Sequence, residues 1–98
     1  MKQFLLCLTL TLALILTTQQ VSTHATKADC WIVIHQKVYD VTSYIVKHLA
    51  EKDVITPYCG KVADTGWDTK DKGKPHSRAA ERLLNRYQIG DLSPSQSQ

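Results

Sequence analysis

The hydrophobic pattern divides this chain near residue 25. Met1-Lys2-Gln3 is a short basic head, and Phe4 to Leu16 then runs through Leu, Thr, Ala, Ile and Cys without a charge. Gln19, Gln20, Ser22, Thr23 and Ala25 follow, polar or small. A basic head, an apolar run and small residues in that order make up a secretory signal peptide. The expected cut lies at Thr23-His24-Ala25, so residues 1–25 read as the leader and residues 26–92 as the domain. The apolar run is shorter than the roughly 20 residues that cross a bilayer, so no membrane span is expected in the mature form. An uncleaved anchor over residues 4–16 is the alternative. Cys7 comes too early in the run for lipid attachment.

Beyond residue 25 the pattern changes period several times. Thr26 to Asp29 is polar and reads as a lead-in loop. Trp31-Ile32-Val33-Ile34 is aromatic and β-branched, as strands are. After a polar break at His35-Gln36-Lys37, Val38 to Val41 reads as a second strand. The pair predicts a hairpin, although no Asn-Gly or Asp-Gly marks its turn. Thr42 is a candidate helix cap, and Tyr44 and His48, four residues apart, share a helical face. Asp53 to Cys59 predicts a short helix, with Pro57 in its first turn or breaking it. Gly60 can end it in a left-handed conformation. Val62 to Trp67 supplies a further turn or two, and Asp68 to Pro75, charged and glycine-containing, is a loop. The clearest helix comes next: Ser77 caps it, and Ala80, Leu83, Leu84 and Tyr87 recur at helical spacing. Ile89 to Leu92 predicts an edge strand, and residues 93–98 a polar tail.

Composition narrows the picture. A chain of 98 residues has room for one domain, and 43% hydrophobic with 21% charged residues is ordinary for a globular one. The net charge of +3 falls by one when Lys2 leaves with the leader, too little to attract nucleic acid. Two of the three cysteines, Cys30 and Cys59, lie beyond the leader. They can pair after export, or each can be a buried thiol acting as a small hydrophobe in its apolar stretch. No Cys-x-x-Cys points to zinc, and no Cys-x-x-Cys-His points to covalently attached haem.

The candidate chemistry lies between His48 and His76. Each histidine sits at the end of a candidate helical segment, and the apolar pieces between them are broken by Pro57, Gly60, Gly66, Gly73 and Pro75. Such a stretch can wall a cleft with one imidazole on each side, an arrangement that suits an iron with both axial positions filled. Taken singly, either histidine reads more readily as a surface or core residue than as a ligand. A hydrolase built on one of them with a serine finds no Gly-x-Ser-x-Gly element.

Asp29-Cys30-Trp31-Ile32-Val33-Ile34, Lys37-Val38-Tyr39-Asp40-Val41-Thr42, His76-Ser77 and Tyr87-Gln88-Ile89-Gly90-Asp91-Leu92, in this order and spacing, resemble the cytochrome b5 family. Pro57-Tyr58-Cys59-Gly60-Lys61 and Gly73-Lys74-Pro75-His76-Ser77 are similar to its small exported bacterial members. The resemblance implies an α+β fold, a small mixed sheet with short helices that form a haem cleft. It implies haem b held without a covalent bond, His48 and His76 as axial ligands, Ser77 at a haem propionate and Trp67 in the pocket wall. The function implied is one-electron transfer by a monomer without catalytic residues, supplied by a separate reductase. A domain that has lost haem and binds a protein or small apolar ligand is the alternative. One departure stands out. Where the family has Pro-Gly-Gly after its first ligand, this chain has Leu49-Ala50-Glu51. Lys47, Lys52, Lys70, Lys72, Lys74 and Arg78 flank the two histidines, interrupted by Asp53, Asp68 and Asp71. They are either a solvated face or a mildly basic docking patch for an acidic redox partner.

Overall fold

The computed structural model describes residues 14–47, 54–69 and 77–94. Its strands are β1 (Ile15–Leu16), β2 (Ala25–Thr26), β3 (Asp29–Ile34), β4 (Lys37–Asp40), β5 (Lys61–Val62) and β6 (Gln88–Leu92). The helices are α1 (Thr18–Ser22), α2 (Thr42–Lys47), α3 (Asp64–Thr69) and α4 (Arg78–Asn85), with a 3₁₀ turn at Thr56–Tyr58. One mixed sheet runs in the order β1-β6-β4-β3-β2. β5 joins it in parallel beside the later part of β3, pairing Ile32 with Lys61 and Val33 with Val62. The expected α+β class therefore holds.

Strand periodicity sets the two faces. Along β3, Cys30, Ile32 and Ile34 point into one cluster with Tyr39, Val41, Ile45, Cys59, Ala63 and Leu84. Val33 points the other way, into a smaller cluster of Leu16, Val21, Val38 and Leu92. Alternation with period two delivers this partition, and both faces are buried because helices cover each. α2, α3 and α4 lie on the larger cluster, and α1 lies on the smaller.

The hairpin of β3 and β4 forms as expected, pairing Trp31 with Asp40 through Ile34 with Lys37. Its turn residues, His35 and Gln36, both take positive φ, at 48° and 67°. A two-residue hairpin loop that matches the strand twist needs such a pair. Neither residue is Gly or Asn, and the Asp64 carboxylate helps hold the turn by accepting the His35 backbone N–H at 2.9 Å.

Four expectations change. First, the domain begins before Thr26. β1 pairs in parallel with β6, Ile15 opposite Asp91 and Leu16 opposite Leu92. Thr17 and Gln20 form a reciprocal capping box that starts α1. Leu16 and Val21 are 5% and 1% exposed, and burying each contributes about 1.5–3 kcal/mol. That is a sizeable part of the 5–15 kcal/mol that holds a typical domain. Second, Ile89–Leu92 belongs to an interior strand, because β1 covers the side of β6 away from β4. Third, the helix expected over residues 53–59 is a single 3₁₀ turn, since Pro57 near its start removes a backbone donor. Gly60 does take positive φ after it, at 78°. Fourth, the Thr42 hydroxyl accepts the Cys30 N–H at 2.8 Å and donates to Asp40 at 2.7 Å, tying α2 to the hairpin.

Candidate functional site

The larger cluster carries the candidate site. α2 leaves β4 and anchors on the sheet through Ile45, 4% exposed. α4 anchors on the same cluster through Leu84, 9% exposed. His48 comes directly after the last residue of α2 in the chain, and His76 precedes Ser77, the residue before α4. Both histidines, and Leu49-Ala50-Glu51 with them, lie outside the described residues. The expected lysines at 52, 70, 72 and 74 lie outside them as well, whereas Lys47 and Arg78 are exposed.

Ser77 caps α4 as expected. Its φ and ψ are −76° and 166°, and its Oγ accepts the Ala80 N–H at 3.2 Å. A hydroxyl that accepts in this way still has its proton to donate. Trp67 lies on α3, half-buried against the cluster. Its position there comes from α3 packing beside β3, where the Ala63 N–H donates to the Val33 carbonyl at 2.7 Å.

Sequence reasoning missed most of the wall around Trp67. Tyr44, Ile55, Tyr58 and Tyr87 also pack, half-buried, against the cluster. Tyr44 and Tyr87 meet edge to face with ring centroids 5.8 Å apart, joining α2 to the end of α4. Tyr58 rests on Gly66 of α3, where an added Cβ would lie 2.5 Å from its Oη. Tyr44 was legible from its helical spacing to His48 and Tyr87 from its spacing after Ser77, but only as members of an apolar face, and nothing local marks Ile55 or Tyr58 as pocket lining. Val46 and Val54, which bracket residues 48–53 in the chain, are 58% and 48% exposed. A flat macrocycle with an apolar body and charged edges fits these residues: a partly covered aromatic and aliphatic wall, with a hydroxyl donor at a helix start.

Cys30 and Cys59 form a disulfide, with Cα atoms 4.8 Å apart. It resolves the two readings open for these cysteines in favour of pairing, and it links β3 to the 3₁₀ turn that carries Tyr58. On the far side of the hairpin, His35 Nε2 is 2.8 Å from Asp68 Oδ1, and its Nδ1 is 3.7 Å from Asp64 Oδ2. The Asp68 hydrogen bond raises the His35 pKa above its ordinary 6.5 against an opposing effect of desolvation, with the charges of Asp68 and Asp64 adding to the rise. This contact fastens α3, and with it Trp67, to the hairpin turn. Burial raises the Tyr39 hydroxyl pKa, assisted by the charges of Asp91 and Glu81. Among the described residues, no cluster of three or more His, Cys, Asp or Glu could hold a bare metal ion. An open groove of about 350 Å³ lies between α1 and β5, lined by Val21, Val33, Lys61 and Val62 among others, apart from the aromatic wall.

Comparison with known proteins agrees with this architecture. Residues 17–93 match the family model of the cytochrome b5-like heme/steroid binding domain. The chain is 44% identical over 78 residues to the soluble cytochrome b558 of Ectothiorhodospira shaposhnikovii, covering 80% of this chain and 86% of that one. It is 41% identical over 80 residues to a cytochrome b5 of Rhizopus stolonifer, covering 82% of this chain but only 58% of the fungal protein. The solved structure of cytochrome b558 from Ectothiorhodospira vacuolata superposes with a TM-score of 0.77 at 42% identity, covering 83% of this chain and all of that one.

Proposed function

The chain belongs to the cytochrome b5 family, and from that premise we propose that it is a haem b-binding, one-electron carrier with His48 and His76 as the two axial ligands. The observation that carries this reading is the half-covered wall of Tyr44, Ile55, Tyr58, Trp67 and Tyr87 on the larger cluster. α2 and α4, the helices that adjoin the two histidines in the chain, anchor on that same cluster.

When bound, haem supplies a reversible one-electron iron couple with no open coordination position. The chain's own residues do the rest. The two imidazoles bind as neutral bases, so ligation weakens where they protonate. The aromatic wall excludes water and lowers the local dielectric, which tunes the potential. The Ser77 hydroxyl, whose oxygen accepts the Ala80 N–H, would keep its proton to donate to a carboxylate of the bound group. No side chain takes a bond-making role, and electrons come from a separate redox partner protein.

Export is part of this reading. A disulfide persists in oxidising compartments, and Cys30 and Cys59, 0% and 2% exposed, form one in the core. No described helix is long and apolar enough to cross a membrane.

Haemin titrated into the purified protein should give a one-to-one low-spin complex with sharp, split visible bands when reduced. His48→Ala and His76→Ala should each abolish that spectrum or turn it high-spin. If both variants keep it, the ligand assignment fails. If the unaltered protein gives only the spectrum of free haemin, the haem reading fails with it.

A further inference from the structure

We propose that His35 is a positioning residue of the haem wall: its imidazolium clasps α3 to the hairpin turn and so holds Trp67 in place, and the clasp slackens as the ring loses its proton. The proposal rests on the haem reading above, and its test separates the two.

α3 needs a hold from outside itself. It has six residues, less than two turns, and a helix that short is not stable alone. Gly66 is its only buried residue, and Trp67, half-buried on the larger cluster, is its one large apolar side chain. Just ahead of it, the Ala63 N–H donates to the Val33 carbonyl. The rest of the hold comes from two carboxylates. Asp64 and Asp68, four residues apart, share one face of α3, and both reach the hairpin turn. Asp64 Oδ1 accepts the His35 backbone N–H at 2.9 Å, and Asp68 Oδ1 lies 2.8 Å from His35 Nε2. Trp67 is the residue just before Asp68, so a shift that parts Asp68 from His35 carries the indole with it.

The contact answers to protonation. A charged imidazole donates from both nitrogens, whereas a neutral one has a single N–H and a bare lone pair. His35 Nδ1 faces Asp64 Oδ2 at 3.7 Å. With the remaining proton on Nε2, the neutral ring keeps its hydrogen bond to Asp68. It loses the attraction of both carboxylates, and Nδ1 turns its lone pair on Asp64. From α3, Asp64 and Asp68 are the charged groups that face the ring, and both favour the proton. On the hairpin, Lys37 follows the turn and pairs in register with Asp91 of β6. The folded protein therefore keeps the His35 proton past the ordinary 6.5 and releases it at higher pH.

The two axial imidazoles act with the opposite sign. Their protonation frees haem as pH falls, whereas loss of the His35 proton loosens the wall as pH rises. Haem loss should be slowest between the two.

The test loads the full chain with haemin and times haem transfer to excess apomyoglobin from about pH 6 to 9. The two side chains are 57% and 50% exposed, so the loss rate should rise only about 1.5- to 5-fold, with its midpoint above 6.5. Soret circular dichroism, which reads the aromatic groups around the haem, should change with the same midpoint. His35→Gln should flatten both signals over that range. Asp68→Asn leaves Asp64 on the turn and should move both midpoints down toward 6.5, and it decides the matter if His35→Gln does not fold. A flat profile in the unaltered protein, a rise as large in His35→Gln, or midpoints that Asp68→Asn leaves in place overturn the clasp while the haem reading stands. A chain that gives only the spectrum of free haemin overturns both.

Discussion

Single residues show how closely the wall is fitted. Gly66 sits within α3, where alanine would ordinarily favour the helix by about 1 kcal/mol. Here the Tyr58 ring occupies the place a Cβ would take, with Cζ at 2.7 Å from it. Gly66→Ala should therefore destabilise by about 1–3 kcal/mol, the usual cost of overpacking, and speed haem loss as Tyr58 shifts. Thermal melting and haem transfer to apomyoglobin both read this, and an unchanged or raised melting point would show that the ring moves freely. His35 gives a pH signature. Its raised pKa means that the folded state favours the protonated ring, so its contribution is full below about pH 6.5. The contribution fades as pH rises through the raised value. The side chain is 57% exposed, which limits the effect to about 0.2–1 kcal/mol. Between pH 6 and 8 the urea midpoint of the unaltered protein should fall relative to that of His35→Gln. Parallel curves would remove His35 from the account.

Elements were legible where local pattern and tertiary role agree. The β-branched run of β3, the spacing of Leu83, Leu84 and Tyr87 after Ser77, and the positive φ of Gly60 all carry their structural reason in the sequence. The missed parts depend on distant partners. β1 reads as the end of an apolar leader because its neighbour β6 is almost the whole chain away. The same absence made β6 look like an edge. The His35-Gln36 turn lacks the residues that favour positive φ, and its tether to Asp64 spans 29 positions. Three of the five wall residues carry no signal that separates a pocket lining from an ordinary core. The disulfide was equally open, since a cysteine in an apolar run reads the same whether paired or free. Its sequence separation of 29 sets its expected worth. Closing a loop of that size in the unfolded chain gives about 3–4 kcal/mol. Cys30→Ala with Cys59→Ala should lower the stability by about 2–4 kcal/mol in denaturant titration. A double variant as stable as the parent would show that core packing alone holds the 3₁₀ turn.

At the scale of the molecule, charge is modest. The net +3 is spread among acids, and the described cations beside the candidate site are Lys47 and Arg78, exposed at the end of α2 and the start of α4. Should these residues form a docking face, they would steer an acidic redox partner only weakly. Its association rate should fall as salt is raised, since exposed charges are screened beyond about 10 Å at 0.1 M. Stopped-flow electron transfer across a salt series measures this, and a flat profile would exclude steering by these charges.

The parallel pairing of β1 with β6 also fixes when the protein can finish folding. The second strand to leave the ribosome, β2, finds its partner at once, but the first must wait for the last. Closing some 75 residues to bring Ile15 beside Asp91 costs about 4 kcal/mol of chain entropy, recovered only when both strands and the cluster beneath them assemble. Until residues 88–92 exist, the front of the nascent chain has no sheet to join. The chain is thereby kept open by the order of its own synthesis, and it compacts only once its tail has arrived.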